Sequence, residues 1–471
     1  MQYISTRGQA PSLDFEGVLM AGLARDGGLY VPEHWPAMTP GQIADLAGQS
    51  YSRVAAAIMQ PFVEGAVPAS DMAALVDKAY GRFTHPAVAP LVQLDDNVWL
   101  LELFHGPTLA FKDLAMQVLG LLMDRSLRRM GRRATILAAT SGDTGAAAVE
   151  AFKGREAIDL FVLFPDGRIS AAQRRQMTTA GAGNVHPVAL RGTFDDCQGI
   201  VKALFNDHAF RDAFQLSAVN SINWARIMAQ AVYYFTAAVA LGAPHRRVSF
   251  SVPTGNFGDI FAGYVALRMG LPVERLIIAT NANDILARTL ATGRYEPRPV
   301  VATASPSMDI QVSSNFERLL FEASSRDSGR VRTLMDEFAV HGSFTLAEPE
   351  LAGMRNVFAA TRVDEAETRE ALATLYRNSR YMADPHTGVG LAAAAKLKGN
   401  SSVPMIVLAT AHPAKFPDAV EDATGALPEK PERLHTALSG QEDFSVIEAE
   451  PDAVRRFIAE RSRLNLANPT L

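Results

Sequence analysis

The chain has 471 residues, too many for one simple core and suited to two or three domains, and its 48% hydrophobic and 20% charged composition is that of a globular protein. Its 45 Lys and Arg against 50 Asp and Glu leave a net charge of −5, so nothing electrostatic points to nucleic acid or to an anionic membrane as partner. A single cysteine, Cys197, excludes an intrachain disulfide and fits a reducing, cytoplasmic compartment.

The opening MQYISTRGQAPSLDF has no apolar core of the kind a signal peptide needs. Residues 1–95 read as a mainly helical unit, with DLAGQSYSRVAAAIMQ (45–60) as a clear helical stretch. A turn-rich break, THPAVAP (84–90), precedes the strand VWLLELF (98–104). Short apolar runs then alternate with helical stretches: ATILAAT (134–140), DLFVLFP (159–165), VSFSVP (248–253), RLIIAT (275–280) and MIVLAT (405–410). Strands buried on both faces with helices between them predict an α/β portion with a largely parallel sheet over 96–427. The best membrane candidate, AVYYFTAAVALGA (231–243), is well short of the ~20 apolar residues of a spanning helix and reads as a buried helix. After the polar, proline-bearing stretch 421–436, residues 428–471 read as a small helical C-terminal appendage.

In α/β sheets chemistry gathers where strands end and helices begin. Two such junctions stand out, SGDTG (141–145) after ATILAAT and PTGNFGD (253–259) after VSFSV. Each offers small residues and free N–H groups at a helix N-terminus, where an anion is favoured, although Ser, Asp, Thr and Asn are equally ordinary helix caps. The chain has no Gly-Lys dipeptide and so no P-loop, no GxSxG elbow, no HExxH, and too few cysteines for a thiolate zinc site; no metal is expected. GAGNVH at Gly181 lacks the third glycine of a dinucleotide fingerprint and precedes a strand.

Lys112 is the remaining oddity: within FHGPTLAFKDLAMQVLG (104–120) its only charged neighbour is Asp113. Desolvation lowers a lysine's pKa and frees its amine to attack carbonyls, and two anion cradles beside such an amine suit a phosphorylated aldehyde such as pyridoxal phosphate. The competing reading is a lysine that merely caps or snorkels beside a helix.

The chain resembles the threonine synthases of the long bacterial and fungal form. YISTRG (3–8) and GLARDGGLYVPE (22–33) resemble that family's N-terminal domain. FHGPTLAFKD, TSGDTG, NSINWARI (220–227), PTGNFGD, SPSMDIQVSSNFERLLF (305–321), ADPHTGVG (383–390) and TAHPAKFP (410–417) resemble its landmarks in order. The resemblance implies the pyridoxal-phosphate fold type II (tryptophan synthase β-like), with a two-lobed catalytic portion. It implies a lyase that converts O-phospho-L-homoserine and water to L-threonine and phosphate, the last step of threonine biosynthesis, and a monomer. Lys112 then holds the cofactor's aldehyde and serves as the proton-transfer base. Gly255, Asn256, Phe257 and Asp259 form the cofactor phosphate loop, with the Asp259 carboxylate turned away or capping the helix. Thr410 faces the pyridine nitrogen; its alternative is a threonine bonded to its own backbone. Ser141, Asp143 and Thr144 match the loop that grips the substrate's α-carboxylate. Asn220, Ser221, Asn223 and Arg226 are candidates for substrate phosphate or for positioning, Ser221 being equally a helix cap and Arg226 a solvated charge. His105, Arg168, His386 and His412 lie in family-like strings without an assigned role. The rivals are another enzyme of the same fold, such as a serine/threonine dehydratase or a cysteine-synthase-like enzyme, and a non-catalytic homologue that binds phosphorylated metabolites.

Overall fold

The computed structural model describes residues 1–400 and 402–464. Its strands are β1 (Tyr3–Ser5), β2 (Tyr30–Pro32), β3 (Leu91–Asp95), β4 (Val98–Glu102), β5 (Ala134–Ala139), β6 (Ile158–Pro165), β7 (Val185–Arg191), β8 (Leu216–Ser217), β9 (Val248–Pro253), β10 (Val273–Thr280), β11 (Arg294–Tyr295), β12 (Phe344–Thr345), β13 (Phe358–Arg362), β14 (Met405–Ala409) and β15 (Ser445–Glu448). Two open sheets carry the architecture. One runs β13-β10-β9-β14-β4-β3, parallel except for the edge strand β3; the other runs β15-β7-β6-β5-β8 and is parallel throughout.

The central strands β5, β6, β9 and β14 are largely apolar and buried because both faces of their sheets are covered, as parallel sheets require. Along β6, Leu160, Val162 and Phe164 point into the main core while Phe161 and Leu163 join a separate core with Cys197 and Ile200. Along β14, Ile406 and Leu408 point into the main core, and Met405, Val407 and Ala409 face the opposite way. That period of two divides each strand between two cores. The helix Trp224–Ala240 packs against the helices Gly258–Arg268, Tyr51–Val63 and Lys112–Met130 and is buried along most of its length. Its burial explains the apolar run at 231–243, and no helix among the described residues is long and apolar enough to cross a membrane.

The N-terminal segment is helical apart from the short antiparallel pair β1–β2, but β3 pairs with β4 in the six-stranded sheet, so its helical part ends at Tyr80 rather than near residue 95. The C-terminal segment also differs from a helical appendage. β15 extends the five-stranded sheet in parallel beside β7, and the helix Pro451–Arg461 sets Val454, Phe457 and Ile458 into the core around Phe161. Residues 465–471 of that expected unit lie outside the described residues. A four-residue edge strand with alternate residues exposed carries almost no sequence signal, which is why it is absorbed into the expected helical appendage.

Candidate active site

Residues 103–111 lie along the end of β14: Leu103 N donates to Ala409 O at 2.9 Å, Phe111 N to Thr410 O at 2.8 Å, and His412 N to Leu109 O at 3.0 Å. The turn closes on Asp113, whose carboxylate accepts the Thr108 N–H at 2.7 Å and the Thr108 hydroxyl at 2.8 Å. Only glycine fits at Gly106, where a Cβ would lie 2.5 Å from the Asp113 side chain. Lys112 therefore opens the helix Lys112–Met130 deep inside the molecule, 6% exposed, with Nζ 3.5 Å from Asp143 Oδ2. Burial lowers its pKa; Asp143 opposes this, while Lys415 and Arg226 add to it.

The SGDTG loop delivers Asp143 as the first residue of the helix Asp143–Phe152. Gly142, at φ 141°, makes the sharp corner, and Thr140 Oγ1 pins it by accepting Gly142 N at 2.9 Å and Gly145 N at 2.8 Å. Asp143 was expected as part of a carboxylate grip; its side chain instead sits between cations. Its Oδ1 lies 2.7 Å from Lys415 Nζ and accepts Gln173 Nε2 at 3.0 Å. Burial pushes its pKa up, but the two lysines and Gln173 outweigh that and hold it well below the usual carboxylate range. Ser141 is exposed and Thr144 half-buried at the same corner, where first-turn N–H groups have no partner within the helix.

The PTGNFGD loop supplies the second cradle. Asn256 Oδ1 accepts Gly258 N at 2.9 Å and Phe257 takes φ 66°, turning the chain into the helix Gly258–Arg268. The loop is held from behind by Ser313, whose hydroxyl donates to Gly255 O at 2.8 Å, and by Asn315, which donates to Asn256 O. A Cβ on Gly255 would lie 3.0 Å from Ser307 O and 3.1 Å from Met308 Cα. The Asp259 side chain caps nothing: its Oδ1 accepts Tyr233 OH at 2.5 Å and Tyr234 OH at 2.9 Å, while among the described residues Oδ2 has no hydrogen-bond partner. Burial raises its pKa from the ordinary 3.8 to about 6 against the pull of the two tyrosines and Arg226. A carboxyl with a raised folded pKa stabilises the fold most below its unfolded value and loses that contribution as the pH rises through the folded one. Asp259→Asn keeps an oxygen for both tyrosines and removes the titration. Its stability relative to wild type is expected to rise by about 2 kcal/mol between pH 4 and 7. Urea unfolding at both ends of that window checks this, and a constant difference contradicts it.

Phe111, Lys112, Asp143, the 253–259 loop, Ser307, Met308, His386, Thr410 and Ala411 line one cleft. Of the predicted site residues, this cleft brings together Lys112, Asp143, Gly255, Asn256, Phe257, Asp259 and Thr410. Arg226 lies just behind it, 3% exposed, and its Nε has no hydrogen-bond partner among the described residues. It is no solvated charge: it sits in the first turn of the central helix, where burial lowers its pKa to about 10. Asn220 keeps a buried, unpartnered Oδ1, and Ser221 is half-buried without capping the helix.

Of the two expected uses of Asn223, substrate contact or positioning, the structure shows its side chain committed to the protein itself. Its Oδ1 caps the helix through Ala225 N at 3.1 Å, and its Nδ2 donates to Leu19 O at 3.0 Å and Ala218 O at 3.2 Å, so its side chain is fully used. Asn223→Ala removes a cap and the donor to two buried carbonyls, an expected loss of about 2–3 kcal/mol in urea unfolding. KM for substrate should stay near the wild-type value; a large rise with unchanged stability would return Asn223 to the binding set.

Sequence reading passed over Lys415 and Gln173 and left His386 without a role. His386 Nδ1 is 2.6 Å from Asp384 Oδ2 and its Nε2 accepts Ser307 N at 3.3 Å, which fixes the Ser307–Met308 wall of the cleft. His105 is held by Glu102 at 2.7 Å, burial lowers the His412 pKa to about 4, and Arg168 is exposed outside the cleft.

Three family models match the chain: threonine synthase N terminus over residues 2–80, pyridoxal-phosphate dependent enzyme over 83–351, and threonine synthase, C-terminal over 387–458. A threonine synthase of Pseudomonas aeruginosa is 51% identical over 98% of both chains. The chain belongs to the threonine synthase family. A solved pyridoxal-phosphate-bound threonine synthase from Brucella melitensis superposes with a TM-score of 0.96 at 56% identity, covering 98% of this chain and all of that one. The yeast threonine synthase structure follows at 0.92 and 40% over 98% of each chain. The fold is therefore the pyridoxal-phosphate fold type II of threonine synthases. The cleft fits that cofactor on its own terms: a desolvated amine at one side, and a helix N-terminus with a close-approach glycine at the other.

Proposed function

We propose that this chain, a pyridoxal-phosphate-dependent carbon–oxygen lyase, converts O-phospho-L-homoserine and water to L-threonine and phosphate. The observation that carries the reading is the desolvated Lys112 amine sharing one cleft with the 254–258 cradle, in a chain related end to end to threonine synthases. Bound pyridoxal phosphate supplies an aldehyde to capture the substrate's amine and a ring that spreads the negative charge left by proton removal.

The protein's own groups do the rest. Gly255, Asn256, Phe257 and Asp259 offer backbone N–H groups to the cofactor phosphate at a positive helix end. The Tyr233 and Tyr234 bonds keep the Asp259 carboxylate off that phosphate. Thr410 presents a neutral hydroxyl to the ring nitrogen, which moderates the ring as an electron sink. Ser141, Thr144 and the adjoining first-turn N–H groups hold the substrate's α-carboxylate, with Asp143 acting through Lys112. Asn220, Ser221 and Arg226 receive the substrate's phosphate. The Lys112 amine removes the Cα proton and remains placed to exchange protons at Cβ and Cγ as phosphate leaves Cγ and water adds at Cβ. In this reading the protein works as a cytoplasmic monomer. Its three segments are an N-terminal one, the two lobes around the cleft, and a C-terminal one that completes a sheet.

The test is to supply the purified holoenzyme with O-phospho-L-homoserine and measure phosphate and threonine together. Equal release of both is expected. Deamination of serine or threonine without phosphate release from O-phosphohomoserine would move the chain to the dehydratase reading, and no turnover of either would leave a binding protein.

A further inference from the structure

Lys415 has no place in the chemistry described so far, yet it is one of the most enclosed charges in the molecule. Its side chain is 0% exposed. It arrives on the short 3-10 turn Pro413–Lys415, directly after the strand end that carries Thr410. Its Nζ makes two contacts, 2.7 Å to Asp143 Oδ1 and 2.9 Å to the carbonyl of Thr108. Thr108 is in turn fixed by its two bonds to Asp113, four residues from Lys112 along the chain. Asp143 thus shares one carboxylate between two lysines, with Oδ1 held tightly by Lys415 and Gln173 and Oδ2 facing Lys112 at 3.5 Å.

We infer that Lys415 is a positioning residue for the reaction: a buried lysine bonded to Asp143 that orients the carboxylate and disfavours a second charge on Lys112, keeping that amine available as a base. The inference rests on the reading of Lys112 as the proton-transfer group. Were Asp143 left to Lys112 alone, the two would form an ordinary buried ion pair, and the amine would hold its proton to higher pH. With Lys415 taking the stronger share, Asp143 offers Lys112 a hydrogen-bond acceptor that steadies the protonated amine without locking it. The other charged or titratable groups near the pair are Asp113 and Arg226, with His412 beside Lys415. Of these, Lys415 and Arg226 both lower the Lys112 pKa, and only Lys415 also bonds Asp143. Gln173, which bonds the same oxygen as Lys415, carries no charge, so orientation and charge can be varied separately.

The experiment follows the pH dependence of Lys112 reactivity in the cofactor-free full chain. Cyanate serves as the probe, because it is small and attacks neutral amines, and peptide mass spectrometry reads carbamylation of Lys112 against the exposed Lys398 as internal standard. In Lys415→Met the midpoint is expected to move up by one pH unit or more. Lys415→Gln keeps a donor toward Thr108 while losing the charge, and carries the same expectation where the methionine variant does not fold. Asp143→Asn is expected to move the midpoint in the opposite direction. In the holoenzyme, the acid limb of kcat against pH should follow the same upward shift in the Lys415 variants. A folded Lys415→Gln protein with the wild-type midpoint overturns the inference, as does a downward shift. Because carbamylation reads the basicity of Lys112 without substrate, it fails or succeeds independently of whether the chain turns over O-phosphohomoserine.

Discussion

Lys112→Ala is expected to abolish the visible absorbance band of the holoenzyme and to lower turnover of O-phosphohomoserine at least about 10³-fold, the scale of losing both covalent attachment and a positioned base. Stability should change little. Lys112 makes a long 3.5 Å contact to Asp143 and lies 5.3 Å from the centre of the Phe111 ring, and Asp143 keeps Lys415 and Gln173 when it is gone. The variant removes a desolvated amine from the cleft and leaves no buried anion unpaired, so the cost of truncating one ion-pair partner does not arise. Urea unfolding and the absorbance spectrum separate these effects. A band that persists in the variant would mean that another amine holds the cofactor, and Lys415, next along the same carboxylate, would be the first to test.

Much of this was legible in the chain itself, for physical reasons that differ between elements. The core strands β5, β6, β9, β10 and β14 read directly because burial on both faces leaves continuous apolar runs bounded by Gly, Pro or Asn. The edge strand β15 did not, because alternate residues face solvent and four residues give too short a pattern. Lys112 was visible as one cation in an uncharged stretch. Lys415 carries the same signal, since residues 410–417 contain no other Asp, Glu, Lys or Arg. It was missed because nothing in sequence order joins that turn to SGDTG, some 270 residues earlier. Asn223 and Arg226 show the opposite limit. Both lie in one family-like string, and only packing separates them: the first is used up as a cap and tie to the N-terminal segment, the second is left with an unbonded buried Nε.

That unbonded nitrogen gives Arg226 an expectation with two signs. A guanidinium 3% exposed and lacking a partner on Nε is costly to bury, and the partnerless Oδ2 of the buried Asp259 relieves it only through space. Under the proposed function, the substrate's phosphate would offset this cost on arrival. Arg226→Met fills a similar volume without charge. It is expected to hold or raise stability, by about 1–2 kcal/mol, since replacing buried charge by packed hydrophobe is often stabilising. The same change should lower kcat/KM for O-phosphohomoserine about 10²-fold or more, because truncating one side of a buried charge pair typically costs 2–5 kcal/mol. Urea unfolding, steady-state kinetics and a cofactor titration on one preparation decide between the possible roles. Lost activity with retained stability and wild-type cofactor affinity places the substrate phosphate on Arg226. Weakened cofactor binding would assign the guanidinium to the cofactor's phosphate instead. A fall in stability with normal kinetics would make it structural, with Asp259 as its true partner across the gap.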